Sequence, residues 1–178
     1  LVNLLCGLLN LREGKILIDE KNINDVKNSW QSKIGYIPQD IYILDDSIKN
    51  NIIFNNEDNT NINKDLKNVI DISQLNKLID SLSDGLDTKV GDRGINISGG
   101  QRQRIAIARA LYHKPDVLVF DEATNSLDEI TENNLMDSIY AIKGKTIIII
   151  SHNIKTLNRC EKIFKIESKS IKEIKKIN

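Results

Sequence analysis

The sequence predicts an α/β fold in which a mostly parallel sheet is flanked by helices and carries an inserted α-helical subdomain. Residues 117–120 form a continuous apolar run, and residues 145–150 form a second run that is almost entirely β-branched. Such runs are expected of strands that are buried on both faces, as in parallel sheets. Between about residues 63 and 82, apolar residues instead recur at helical spacing. This alternation of strand and helix patterns favours an α/β core with a helical insertion.

The remaining elements follow from shorter patterns and their boundaries. Pro115 ends the helix that begins near residue 101, and Gly144 is suited to the end of the helix at 129–142. The other predicted helices span residues 1–9 and 153–159. The other predicted strands span residues 15–18 and 34–37, with a C-terminal hairpin at 163–167 and 171–174.

Composition limits the partners that the chain could have. Its 178 residues suffice for one domain, or for one domain with a subdomain. Lys and Arg together number 25, as do Asp and Glu, so net charge gives no argument for a nucleic acid or an anionic membrane. Cys6 and Cys160 lie far apart without histidines at ligand spacing, which predicts reduced structural thiols. Without a signal peptide or an apolar run of ~20 residues, we expect a cytoplasmic chain that docks on membrane partners.

A polar stretch, residues 96–101, leads directly into a helical pattern. Ser98 is a good N-cap residue, and Gly99 and Gly100 allow the backbone to approach a ligand without obstruction by a Cβ atom. Free N–H groups in a first helical turn, together with the helix dipole, favour an anion such as phosphate. The alternative is an ordinary capped surface helix, which a Ser-Gly-Gly turn alone does not exclude.

Two carboxylates, Asp121 and Glu122, follow the apolar run at 117–120. Carboxylates at the end of a buried strand are costly unless a positive group lies beside them. Mg²⁺ bound to nucleotide phosphates would be a natural partner for Asp121. Glu122, on the opposite side of the strand end, could then polarise an attacking water. The alternative is that the pair merely ends the strand and opens a turn.

Together these stretches resemble the signature and Walker B motifs of ABC-type ATPases. The family's signature reads Leu-Ser-Gly-Gly-Gln, and Ile97 here replaces the leucine. Residues 88–94 resemble the x-loop of ABC exporters, with Asp92 in place of glutamate. The resemblance covers nearly the whole chain and favours the exporter type. The further matches, in the family's order, are Gln39 in the Q-loop, residues 123–128 in the D-loop and His152 in the H-loop.

The resemblance implies a part for each of these residues in binding or hydrolysing ATP with Mg²⁺. Asp121 and Gln39 are expected at the metal. Glu122 is expected to polarise the attacking water, and His152 to hydrogen-bond the γ-phosphate. The signature helix is expected to bind the ATP held by an opposite domain, so that a head-to-tail dimer contains two composite sites. The residues expected at the nucleotide are Gln39, Ser98, Gly99, Gly100, Gln101 and Asp128.

One family motif, the Walker A loop Gly-x-x-Gly-x-Gly-Lys-Ser/Thr, is absent from the sequence. Leu1 resembles the residue that directly follows this loop, so we expect a fold that is incomplete at its N-terminus. Because the loop supplies a backbone nest, a phosphate-binding lysine and a hydroxyl for Mg²⁺, residues 1–178 alone are expected to be inactive. The resemblance divides the chain into a partial ATPase core at 1–46, a helical signature subdomain at 47–113 and further core at 114–178.

These observations predict the ATP-binding and ATP-hydrolysing domain of an ABC exporter at the cytoplasmic face of a membrane. The expected partners are ATP, a second nucleotide-binding domain and a transmembrane domain on the same polypeptide, with no nucleic acid. One alternative is a soluble ABC-type ATPase of DNA repair or translation, and another is a non-catalytic remnant. The x-loop match and the absence of coiled-coil heptads or a basic face argue against the soluble type. Several apolar spans upstream of Leu1 would indicate an exporter.

Overall fold

The centre of the fold is a three-stranded parallel sheet with the strand order β3–β6–β7. The computed structural model describes residues 1–54, 62–92, 95–168 and 170–176. In chain order, the strands are β1 (Leu17–Ile18), β2 (Lys21–Asn22), β3 (Ile34–Ile37), β4 (Asp46–Ser47), β5 (Lys89–Val90), β6 (Val117–Asp121), β7 (Thr146–Ile150), β8 (Ile163–Glu167) and β9 (Ser170–Ile174). The helices are α1 (Val2–Leu5), α2 (Lys27–Gln31), α3 (Ile48–Ile53), α4 (Ile62–Ile72), α5 (Asn76–Asp80), α6 (Gly99–Tyr112), α7 (Glu129–Tyr140) and α8 (Ile154–Leu157).

Helical layers cover both faces of this sheet. Successive side chains of a strand point to opposite faces, so β6 contributes to two separate clusters. Leu118 and Phe120 pack in the larger buried cluster, together with residues of α6 and α7. Val117 and Val119 pack on the other face against Cys6, which directly follows α1. The continuous apolar run of β6 is therefore explained by burial on both sides, and the predicted sheet flanked by helices is confirmed.

Helix α6 is buried over most of its surface. The sequence spacing indicated a narrower apolar stripe at Ile105, Ala108 and Leu111. The helix has more buried residues because it packs against β3, α3 and α4 at once. Its buried residues are Gln103, Ile105, Ala106, Ile107, Ala108, Ala110, Leu111 and Tyr112.

A small antiparallel sheet, which the sequence patterns did not predict, has one strand before α3 and the other after α5 in the chain. Its strands β4 and β5 pair Asp46 with Val90. The helical stretch predicted at 63–82 is divided into α4 and α5, because Gln74 adopts a left-handed conformation with φ 57°. Of the x-loop-like residues, positions 93 and 94 lie outside the described residues. The division of the chain at residues 47 and 114 stays a prediction.

Several predicted elements are shorter than their sequence patterns. The helix expected at 1–9 ends at Leu5, because Gly7 turns the chain with φ 66° and the indole of Trp30 donates a hydrogen bond to the Leu5 carbonyl at 2.7 Å. The strand expected at 15–18 is half of the tight hairpin β1–β2, which turns through Asp19 and Glu20 at positive φ. Helix α7 ends at Tyr140, and α8 covers only four residues of the predicted 153–159.

The predicted C-terminal hairpin is present as β8 and β9, which pair Ile166 with Ile171. Both of these isoleucines and Phe164 are exposed. The two cysteines are free, as the sequence predicted. Across the described ranges, we find no helix that is both long enough and apolar enough to span a bilayer.

Candidate functional site

Three of the predicted site residues follow strands whose carboxyl ends share one edge of the parallel sheet. Gln39 lies two residues after β3, Glu122 directly follows β6, and His152 lies two residues after β7. The main-chain N–H of Glu122 donates to the carbonyl of Ile150 at 3.0 Å, so the chain stays paired just beyond β6. Ligands of open α/β sheets bind at this edge, outside the carboxyl ends of the strands.

Three side chains converge on the carboxylate of Glu122. The amide nitrogens of Gln39 and Asn125 each donate to Oε2 at 3.1 Å. Nε2 of His152 lies 2.9 Å from Oε1. The side chain of Glu122 is only 20% exposed, whereas that of His152 is 89% exposed. The structure therefore joins three predicted residues, Gln39, Glu122 and His152, in one hydrogen-bonded group.

The backbone of Glu122 has an unusual conformation, with φ 53°. Few residues other than glycine occupy this left-handed region, and such conformations cluster at functional sites. A carboxylate offers roughly four acceptor positions, of which the three neighbouring donors use three. The remaining position could accept a hydrogen bond from water. The geometry thus suits a fixed carboxylate that contacts one further small molecule.

Asp121 lies beside this group and is held by Tyr36, whose phenol donates to Oδ2 at 2.8 Å. The parallel register places Tyr36 opposite Val119, and Asp121 lies two residues further along the same face of β6. Burial, followed by the hydrogen bond and the charge of Asp121, raises the pKa of Tyr36 to about 12. Burial and the same charge also raise the pKa of the Cys6 thiol.

The oxygen atoms at this edge fit Mg²⁺ bound to a phosphate group. Mg²⁺ usually binds one or two carboxylates and completes its coordination with waters and substrate phosphates. Asp121 supplies a carboxylate that is already held by Tyr36. Gln39 donates through Nε2, so its Oε1 is the atom that could face a cation. In the portion of the chain that is described, there is no group of three or more His, Cys, Asp or Glu residues that could hold a metal by itself.

The signature segment begins α6 with a complete capping box. Ser98 Oγ accepts from the Gln101 N–H at 3.2 Å, and Gln101 Oε1 accepts from the Ser98 N–H at 2.7 Å. Two of the polar groups that the sequence analysis assigned to a ligand thus stabilise the helix terminus itself. Ser98 is exposed, while Gly99 and Gly100 are partly buried.

The two glycines of the signature also permit a close contact within the chain. A Cβ atom on Gly99 would lie 3.3 Å from Cβ of Ser126, and one on Gly100 would lie 3.2 Å from the Ser126 carbonyl oxygen and 3.1 Å from Leu127. The D-loop of the same chain therefore packs against the signature helix. This close contact explains why both positions are glycine, independently of any ligand.

Asp128 forms the N-cap of α7 and is not joined to the Glu122 group by a hydrogen bond between described residues. Its side chain accepts from the Thr131 N–H at 3.0 Å. Hydrogen bonds from the backbone and side chain of Thr131 are the main reason that the pKa of Asp128 is lowered. The carboxylate thus has a helix-capping role alongside the nucleotide contact expected from the sequence.

Sequence analysis missed two residues of the site, Tyr36 and Asn125. Tyr36 resembled any other residue of a buried strand, because its contact with Asp121 depends on the register between β3 and β6. Asn125 was assigned to the D-loop without a role of its own. A polar residue three positions after Glu122 in a turn is a signal that could have identified it, since such a turn folds back on its first residue.

Comparisons with known proteins all point to the same family. The model of the ABC transporter family matches residues 1–125. The chain is 39% identical over 175 residues to "ABC transporter B family member 6" of Dictyostelium discoideum, with coverage of 96% of this chain and 25% of that protein. It is 38% identical over 160 residues to "Multidrug resistance ABC transporter ATP-binding and permease protein" of Lactococcus lactis subsp. lactis, covering 89% of this chain and 27% of that protein.

A solved structure is also similar to this fold. It is described as "Structure of a bacterial Atm1-family ABC exporter with ATP bound" and superposes with a TM-score of 0.84 at 33% sequence identity. The match covers 92% of this chain and 29% of the solved chain. The fold and these matches place the chain in the class of ABC-type ATPase domains. The chain belongs to the ABC transporter family, and it spans 25% to 29% of the lengths of these relatives.

Proposed function

We propose that the chain is the ATP-hydrolysing domain of an ABC exporter, which couples ATP hydrolysis to the transport of an unidentified substrate across a membrane. The observation that carries this proposal is the convergence of Gln39, Asn125 and His152 on the carboxylate of Glu122. Phosphoryl transfer depends mainly on positioning and electrostatic stabilisation, so a carboxylate fixed from three sides suits it.

In this proposal, Glu122 is the general base that accepts a proton from the attacking water. Gln39 and Asn125 hold Oε2, while His152 holds Oε1 and is exposed enough to contact a phosphate. Asp121 and Gln39 would hold Mg²⁺, which neutralises charge on the phosphates. The sequence contains no Walker A loop, so the proposal applies to a protein that also provides one, and residues 1–178 alone are expected not to hydrolyse ATP.

The signature helix serves a second nucleotide-binding domain in this proposal. Ser98 is exposed at the start of α6, and the N–H groups of a helix terminus favour phosphate. Two copies arranged head to tail would each offer this terminus to ATP held by the other. Closure of such a dimer would complete both sites, which makes it a natural step for coupling to transport.

The transmembrane partner is expected to contact the surface beside Gln39. Tyr42 is 73% exposed and Phe54 is 41% exposed, and both line a groove between β3 and α6. Solvent-exposed aromatic side chains next to a functional loop are typical of protein interfaces. We infer that this groove receives the transmembrane domain, because the Lactococcus lactis relative is described as both an ATP-binding and a permease protein. This arrangement would place the chain at the cytoplasmic face of the membrane.

Replacing Glu122 with glutamine in the full-length protein tests the proposal. The substitution keeps the size of the side chain but removes the base, so hydrolysis should fall by roughly 10²-fold to 10⁴-fold while ATP binding persists. Steady-state phosphate release and equilibrium binding of a fluorescent ATP analogue would measure the two properties. Glu161→Gln, at an exposed position, is the matched control.

Unchanged hydrolysis in the Glu122→Gln protein would remove Glu122 from the role of base. ATP-dependent uptake of labelled lipids or drugs into inverted vesicles would test the export function separately. The coding sequence around this segment distinguishes the exporter from the soluble alternative, because only the exporter requires several apolar spans of ~20 residues.

A further inference from the structure

Glu132, in the first turn of α7, accepts hydrogen bonds from two segments of the proposed site, the D-loop and the start of α8. Oε1 accepts from the Thr124 hydroxyl at 2.9 Å and from the Thr156 hydroxyl at 3.0 Å. Oε2 accepts from the amide nitrogen of Asn153 at 3.3 Å. Thr124 and Thr156 are only 7% and 5% exposed, so these hydroxyls have little access to water. One carboxylate therefore connects two segments that are distant in sequence.

The donors are close neighbours of the residues that hold Glu122. Thr124 directly precedes Asn125, whose amide donates to Glu122. Asn153 directly follows His152, which contacts the other oxygen of Glu122. Movement of either segment by a few tenths of an ångström would change a contact of the proposed base. Two of the residues that donate to Glu132 are therefore direct chain neighbours of Asn125 and His152, which hold the carboxylate of Glu122.

A carboxylate suits this position better than an amide. Oδ1 of Asn153 accepts from the Lys155 N–H at 3.0 Å and caps α8, so the orientation of the Asn153 amide is fixed and its NH₂ group must face Glu132. An ionised carboxylate only accepts hydrogen bonds, whereas glutamine would place an NH₂ group against one of the three donors. Replacement by glutamine is therefore expected to lose at least one of the contacts.

We propose that Glu132 is a positioning residue for ATP hydrolysis, which fixes the loops that carry Asn125 and His152 and so keeps the carboxylate of Glu122 aligned. The inference rests on the proposed function of Glu122 and extends it beyond the residues that touch the base. Glu132 does not contact Glu122, and its effect passes through the two loops.

The test uses the full-length protein and compares Glu132→Gln with Glu129→Gln. Glu129 lies in the same turn of α7 and also connects to α8, through an exposed ion pair with Lys155 at 2.6 Å. It contacts none of the three donors, so its substitution is the matched control. We expect kcat to fall about tenfold or more in Glu132→Gln, as for the loss of one hydrogen bond to a charged group, with KM for ATP little changed. Glu129→Gln should retain the kcat of the wild type.

A double-mutant cycle separates positioning from a general loss of stability. If Glu132 acts through His152 and Asn125, Glu132→Gln should lower kcat much less when both of these residues are already alanine. Independent effects that multiply would overturn the inference, as would a Glu132→Gln protein with wild-type kcat. If Glu132→Gln does not fold, Thr156→Val should lower kcat and Thr156→Ser, which keeps the hydroxyl, should restore it. Equal activity in these two variants would also overturn the inference.

The inference and the proposed function fail in different ways. Unchanged hydrolysis in Glu122→Gln would overturn the role of Glu122 itself. Loss of hydrolysis in Glu122→Gln, together with normal kcat in Glu132→Gln, would leave the base in place and remove only the positioning role.

Discussion

The phenol of Tyr36 donates a hydrogen bond to Oδ2 of Asp121 across the β3–β6 pair, at 2.8 Å. Tyr36 and Asp121 are distant in sequence, and the parallel register of two strands brings them together. The contact fixes the orientation of the carboxylate that we assign to Mg²⁺. It also leads to two predictions for Tyr36.

Replacing Tyr36 with phenylalanine should raise the concentration of Mg²⁺ that ATP hydrolysis requires. Without the hydrogen bond, the Asp121 carboxylate must be ordered when Mg²⁺ binds, at a cost of about 1 kcal/mol. The Mg²⁺ concentration for half-maximal hydrolysis by the full-length protein should therefore rise about fivefold. Tyr140→Phe, which removes a phenol that contacts Cys160 and no residue of the site, is the control and should leave this concentration unchanged. Identical Mg²⁺ titrations for Tyr36→Phe and the wild type would contradict this prediction.

Tyr36 should also make stability depend on alkaline pH. Its pKa is raised to about 12, mainly by burial, whereas an unfolded tyrosine titrates near about 10. The folded state keeps the proton over this interval while the unfolded state releases it. This contribution to stability is complete below about pH 10 and is lost as the pH rises towards about 12. Urea unfolding at several alkaline pH values should show a steeper decline in the wild type than in Tyr36→Phe, and parallel declines would refute the prediction.

Gly100 should tolerate alanine less well than Gly99 does. A Cβ on Gly100 would lie 3.2 Å from the main-chain oxygen of Ser126 and 3.1 Å from Leu127, whereas one on Gly99 would have a single contact of this kind, with Cβ of Ser126 at 3.3 Å. We expect Gly100→Ala to lower the free energy of unfolding by about 1 kcal/mol relative to Gly99→Ala. Thermal unfolding of the two variants measures this difference. A lower melting temperature for Gly99→Ala would contradict this prediction and show that the contacts of Gly100 relax more easily than the contact of Gly99 with Cβ of Ser126.

Arg109 should be important for stability because its hydrogen bonds connect α6 to α3 and to the segment that precedes α3. Its guanidinium donates to the carbonyl of Asn51 at 2.7 Å, to Oδ1 of the same residue at 3.0 Å, and to the carbonyl of Tyr42 at 3.0 Å. The side chain of Asn51 is fully buried, and burial lowers the pKa of Arg109. Arg109→Ala should therefore lower the free energy of unfolding by about 3 kcal/mol.

Arg109→Lys should have an intermediate effect, because lysine keeps the charge but cannot reproduce the planar fork of donors. Urea unfolding compares both variants with Arg12→Ala, an exposed control that should stay within about 0.5 kcal/mol of the wild type. If Arg109→Ala were as stable as this control, the hydrogen bonds of Arg109 would contribute little to stability.

The site was predictable from sequence where its residues follow strands. Gln39, Glu122 and His152 each come after an apolar run, and parallel strands bring their carboxyl ends to one edge. The N-cap role of Ser98 was also predicted, because it involves residues within one turn, whereas the reciprocal hydrogen bond of Gln101 was not. The roles of Tyr36 and Glu132 could not be predicted from the sequence, because their contacts depend on strand register and on the distance between two loops.

The sequence by itself determined the family, the three strands of the central sheet with the long helices α6 and α7, and the residues at the carboxyl edge of that sheet, because local spacing encodes them. Only the tertiary structure decided where α1 ends, how deeply α6 is buried, and which neighbours hold Asp121 and Glu122. The physical reason is that hydrogen bonds between distant segments depend on the packing of whole layers. Spacing along the chain does not specify that packing residue by residue.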